Sequence, residues 1–100
     1  SLRALTVTWD DQSDARRMTS VKMGSTVIWS NAGGVTSPFT INVGDWIPGA
    51  SRSINPGASR SLTLSFNAPA AGGVYTLSPN TWDDGTGGSQ CTASPVSANR

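Results

Sequence analysis

The chain is expected to fold as an all-β protein, a two-sheet antiparallel β-sandwich of about seven strands. Three observations predict this. Apolar residues alternate with small polar ones in several short runs, the period of two that sends successive side chains to opposite faces of a strand. Clusters of Gly, Pro, Asn and Asp punctuate those runs about every 8–12 residues, the spacing of sandwich turns. No useful stretch carries a helical period, and all six acidic residues are Asp, which favours turns over the interiors of helices and strands. An up-and-down barrel is the main rival arrangement.

The clearest stretch is Asn55 to Pro79. Asn55-Pro56-Gly57 is a turn signal, since Pro sets φ and Gly accepts φ > 0. Leu62, Leu64 and Phe66 alternate with Thr63 and Ser65. Ala68-Pro69 to Gly72-Gly73 is a second breaker, Val74 to Leu77 a second strand, and Pro79 its expected stop. The two strands are expected to be antiparallel neighbours.

From the start, Leu2 to Trp9 is a strand with Leu5, Val7 and Trp9 on one face. Asp10 to Asp14 breaks it, with Arg16 and Arg17 to offset the charge. Val21 to Trp29 follows, with Gly24 marking a turn or bulge between two halves. Ser30 to Gly34 reads as a loop, and Phe39, Ile41 and Val43 as the apolar face of a third strand. Gly44 to Gly49 is a loop carrying Trp46 and Ile47, and Ala50 to Ile54 a short edge strand at best. Pro48-Gly49-Ala50-Ser51-Arg52-Ser53-Ile54 is echoed by Pro56-Gly57-Ala58-Ser59-Arg60-Ser61-Leu62. Arg52 and Arg60 either point to solvent or form a small cationic patch. Asn80 to Ser89 reads as a long polar loop, and Gln90 to Val96 as a last strand. The whole chain is expected to be one domain, with residues 1–3 and 97–100 frayed. Its starting Ser is expected of a processed chain or of one cut from something longer.

Val21 to Gly34, VKMGSTVIWSNAGG, resembles the V-x-x-G-x-x-V-x-W-x-N segment of cupredoxins. Pro56-Gly57, Ser59, Phe66, Pro69 and Gly73-Val74-Tyr75 resemble a later segment of the same fold. Immunoglobulin-like modules share the second pattern. The resemblance implies a Greek-key sandwich and no electron transfer. Type 1 copper needs two His and a Cys, and this chain has no His, so no copper ligand carries over.

Composition excludes several functions. A net charge of +1 provides no field for nucleic acid or anionic membrane, and no run approaches the ~20 apolar residues of a membrane span. The lack of His removes Ser-His-Asp and Cys-His catalysis and most zinc sites, so the protein is expected not to be an enzyme. The single Cys91 makes no internal disulfide, and is either a free thiol or a link to another chain.

Two ligand chemistries fit the loops. Trp46 and Trp82, beside Asp45, Asp83 and Asp84, have the make-up of a sugar-binding face: an indole stacks on a pyranose, and carboxylates bind its hydroxyls. The alternative is that each Trp caps one end of the core. Asp10, Asp11 and Asp14, or Asp83 and Asp84, are oxygen donors suited to calcium, or else the makings of solvated turns. A joint site needs the two loops at the same end of the sandwich. The expected role is a non-catalytic extracellular or cell-surface interaction module, structural or adhesive. Its partners are expected to be other protein subunits or surface glycans, with self-association through an edge strand or Cys91.

Overall fold

A computed structural model of the chain describes residues 1–10, 15–54, 58–67, 74–83, 90–92 and 96–99, the last two groups through their backbone. Its eight strands are β1 (Leu2–Thr8), β2 (Met18–Met23), β3 (Thr26–Val35), β4 (Phe39–Ile41), β5 (Leu62–Phe66), β6 (Val74–Asp83), β7 (Gln90–Thr92) and β8 (Val96–Asn99). They form two antiparallel sheets. One runs β4-β1-β6-β7, with β8 also on β6; the other runs β3-β2-β5.

The core lies between the sheets. Leu5, Val7 and Trp9 face in from β1 and its end, as their alternation predicts, and meet Val21, Met23, Ile28 and Trp29 of the smaller sheet. Each such side chain stabilises the fold by about 1.5–3 kcal/mol relative to leaving it in water. Aromatic pairs cross the gap. Phe66 lies between Trp9 and Tyr75, both centroids at 5.4 Å, and Trp29 meets Phe39 at 5.5 Å. Trp9 also donates its indole N–H to the Arg16 carbonyl at 3.0 Å.

Strict alternation fails at four places, and each is a register slip. Leu2 and Leu5 are both buried although three residues apart, because Arg3 is an extra residue between the Leu2–Trp82 and Ala4–Thr81 pairs. Met18 and Val21 show the same offset across a slip at Thr19. Consecutive Ile28 and Trp29 are both buried, since Val21 faces Trp29 while Lys22 faces Val27, leaving Ile28 as the bulged residue. On β6, Tyr75 and Leu77 face in, then Asn80 and Trp82. There Leu5–Asn80 follows Val7–Leu77 across Ser78 and Pro79. A bulge adds one residue and turns the alternation over.

Several expectations are corrected. β5 and β6 are not neighbours: β5 pairs with β2, and β6 with β1, so the connection between them crosses from one sheet to the other. Pro79 does not stop β6, because the slip places it where no ladder hydrogen bond is required of it. Asn80 to Asp83 therefore continues that strand rather than opening a loop. Ser30 to Gly34 belongs to β3: Ser30 pairs with Ser20, and Asn31 to Gly34 form an enlarged bulge opposite Thr19, in which the Asn31 side chain accepts from Gly33 and Gly34 N–H at 3.1 and 3.0 Å. β4 ends at Ile41, and Val43 is exposed. Ala50 to Ile54 forms no strand. Residues 2–3 and 97–99 belong to paired strands rather than frayed ends, while Arg100 lies outside the described residues. Leu2 is fully buried, and β8 pairs with Val74 to Leu77 of β6. β7 and β8 keep one register along β6, with Asp83 facing Gln90, Trp82 facing Cys91, and Leu77 facing Val96.

Candidate functional site

The structure brings Trp46, Trp82 and Asp83 to one end of the sandwich, around the start of β1. The connection after β4 crosses this end from sheet to sheet. Its Trp46 indole N–H donates to the Arg3 carbonyl at 2.7 Å, and its Ile47 N–H donates to the Ile28 carbonyl at 2.9 Å. Arg3 and Ile28 are the bulged residues of β1 and β3. A bulge takes its residue out of regular ladder pairing and leaves a carbonyl seeking a donor. Two consecutive residues thus provide a donor to one bulge in each sheet.

Arg52 and Arg60 complete this end, and the reading that they simply point to solvent is corrected. Neither is a bare solvent-facing cation: both are half-buried and bonded to backbone carbonyls. Arg52 Nε donates to the Leu2 carbonyl at 2.8 Å, while the Leu2 N–H donates to the Arg52 carbonyl at 3.0 Å. Its guanidinium also lies over the Trp46 ring, 5.3 Å from the centroid, a contact that contributes about 0.5–2 kcal/mol. Arg60 donates to the carbonyls of Met23 at 2.7 Å, Ser53 at 3.0 Å and Ser51 at 3.3 Å. A planar guanidinium with five donors suits such convergent acceptors. The repeat places Arg at the same offset in both copies, but nothing in it shows that both turn inward onto backbone.

The candidate sugar-binding residues are accounted for one by one. Trp46 is 6% exposed, so the expected exposed indole is corrected: its edge is bonded to β1 and a face is covered by Arg52. Trp82 is half-buried against the core and donates to Asn80 Oδ1 at 2.7 Å. Asn80, a buried polar residue that sequence reasoning missed, donates in turn to the Leu77 carbonyl at 3.0 Å. Asp45 is exposed, but its carboxylate accepts from the Asn42 N–H at 2.9 Å and closes a turn. Asp83 lies 3.5 Å from the Arg3 guanidinium and 3.6 Å from the Ser1 amine. Asp84 lies outside the described residues.

For calcium, Asp10 is exposed just beyond β1, while Asp11 and Asp14 lie outside the described residues. Asp10 and Asp83 occupy opposite ends of β1, since Asp83 exchanges backbone hydrogen bonds with Ser1. Nine residues of extended chain put them about 30 Å apart, so Asp10 and Asp83 do not share a site, and the rest of both loops lies outside the described residues. Among the described residues, no three His, Cys, Asp or Glu side chains are gathered where a metal could bind. Also among those residues, no helix is long and apolar enough to cross a membrane. Cys91 sits on β7 opposite Trp82 in register.

No protein-family model, no curated protein and no solved structure matches this chain.

Proposed function

We propose that the chain is a non-catalytic, immunoglobulin-like or cupredoxin-like sandwich module, a structural or adhesive unit of a surface protein or assembly outside the cytoplasm. One observation carries this reading. Among the described residues, the candidate sugar-binding and cationic side chains are engaged in holding the fold: the indoles of Trp46 and Trp82, the guanidiniums of Arg52 and Arg60, and the carboxylates of Asp45 and Asp83. A protein whose polar chemistry is committed internally works through its outer shape and its strand edges rather than through a pocket.

The glycan-binding alternative rests on Trp82, because Trp46 has no free face. Titrating intrinsic tryptophan fluorescence with soluble polysaccharides separates the two. The module reading expects no saturable shift in emission. A saturable shift that Trp82→Ala abolishes, with the fold intact, would replace it with the carbohydrate-binding reading.

A further inference from the structure

The four sheet edges are unequally protected. β4 has three residues and follows Pro38. β3 is broken by the bulge at Asn31 to Gly34. The edge along β6 is divided between β7 and β8, of three and four residues. Short strands and bulges are the usual devices that keep an edge from pairing with another chain. β5 has none of them. Its five residues, Leu62-Thr63-Leu64-Ser65-Phe66, keep an unbroken course beside β2, whose own extra residue accounts for the one slip between them. Ser61 to Asn67 contains no charge and no proline.

The direction of the backbone groups follows from the ladder. Gly24 N–H donates to the Ser61 carbonyl at 2.8 Å, and Asn67 N–H to the Arg17 carbonyl at 2.9 Å. In an antiparallel pair, hydrogen-bonded and non-hydrogen-bonded positions alternate. Counting inward from both ends, Thr63 and Ser65 bond to β2. Leu62, Leu64 and Phe66 turn their N–H and C=O groups the other way, where no strand pairs among the described residues. Those three side chains face the core and remain only partly buried, whereas their partners Met23, Val21 and Met18 are 0–2% exposed. The edge thus offers backbone donors and acceptors at every second residue, evenly placed about Leu64, with the small hydroxyls of Thr63 and Ser65 alternating between them.

We propose that β5 is a docking edge for a second copy of this chain. The two β5 strands pair antiparallel about a two-fold axis at Leu64, so that two three-stranded sheets continue as one. This rests on the structural-module reading and names its partner. The self-pairing is favoured because the outward groups are symmetric about Leu64: Leu62 meets Phe66 of the other copy, and Thr63 meets Ser65. Both are apolar or neutral pairs, with no charge to select a different partner or to repel an identical one.

Sedimentation equilibrium in the presence of reductant, which excludes crosslinking through Cys91, tests this with three proteins. The unaltered chain is expected to show a concentration-dependent dimer. Thr63→Lys/Ser65→Lys sets lysine against lysine at two symmetric places and is expected to weaken the dimer by about tenfold or more. Thr63→Lys/Ser65→Glu sets opposite charges together in the same register and is expected to keep it. Both variants alter the outer face and spare the core, and urea unfolding checks that each stays folded. Hydrogen exchange provides the residue-level readout: the Leu62, Leu64 and Phe66 amides should gain protection with concentration, while Thr63 and Ser65 are protected throughout. A monomer at all concentrations, or a dimer indifferent to the lysine pair, would overturn the proposal. Either result leaves the module reading standing, since that reading fails instead on saturable glycan binding.

Discussion

Gly34 shows how much a single residue decides. Its φ is +75°, and a Cβ there would lie 2.5 Å from the Arg17 Cβ. Gly34→Ala therefore meets both backbone strain and a clash, and is expected to cost about 2–4 kcal/mol. Its neighbour provides the control: a Cβ on Gly33 would meet only the Asn31 Oδ1, at 3.7 Å, so Gly33→Ala should cost about 0.5 kcal/mol or less. Urea denaturation of the two variants checks the difference, and equal losses would refute this account of the bulge. Arg60 invites a similar comparison. It serves three carbonyls from one planar group, so Arg60→Lys is expected to lose most of what Arg60→Ala loses, about 1–3 kcal/mol. Full recovery by lysine would mean that charge alone matters there. Trp46→Phe keeps an aromatic side chain but loses the pyrrole ring and leaves the Arg3 carbonyl without its indole donor, at a cost of about 1–3 kcal/mol for the lost hydrogen bond and more for the lost packing.

At the scale of elements, the strands divide by how many sides are paired. β1, β2 and β6 are flanked on both sides, while β4 pairs only with β1. Amide exchange should therefore be slowest in β1, β2 and β6 and fastest in β4; a β4 as protected as β2 would contradict the sheet order. The alternation in Leu5-Thr6-Val7 and in Leu62-Thr63-Leu64 was readable because an unbulged strand with one buried face must repeat every two residues. The Val21 to Trp29 run, split at Gly24, was also readable, and the hairpin turns there with Gly24 at φ +62°. The four slips were not. A bulge is set by how two strands fit together, and its only trace along the chain is an apolar pair at the wrong spacing, such as Leu2 with Leu5 or Ile28 with Trp29.

For the whole molecule, the described residues of the connection between β4 and β5 tie both sheets together at one end. They donate to β1 through Trp46 and Arg52, to β3 through Ile47, and to the end of β2 through Arg60. Substitutions here should lower the stability of the whole domain in one cooperative transition rather than loosen a loop. Biphasic unfolding of the Arg60→Ala variant would disprove that. Because Asp10 and Asp83 stand at opposite ends of β1, millimolar calcium is expected to leave the melting temperature unchanged. A rise following mass action would point to the Asp10 to Asp14 segment by itself.

By itself the sequence determined the class and the local grammar: an all-β chain, alternating strands, Trp9 on the core face of the first strand, and the turn at Gly24. These depend on neighbours within a few residues, and such neighbours are visible along the chain. Which strands pair, and what the loop residues do, only the tertiary structure decided. Trp46, Arg52 and Arg60 have the composition of a binding loop, yet each meets a carbonyl many residues away, at Arg3, Leu2 and Met23. A buried backbone group must find a partner, and the chain's own bulges created the carbonyls at Arg3 and Ile28 that Trp46 and Ile47 satisfy.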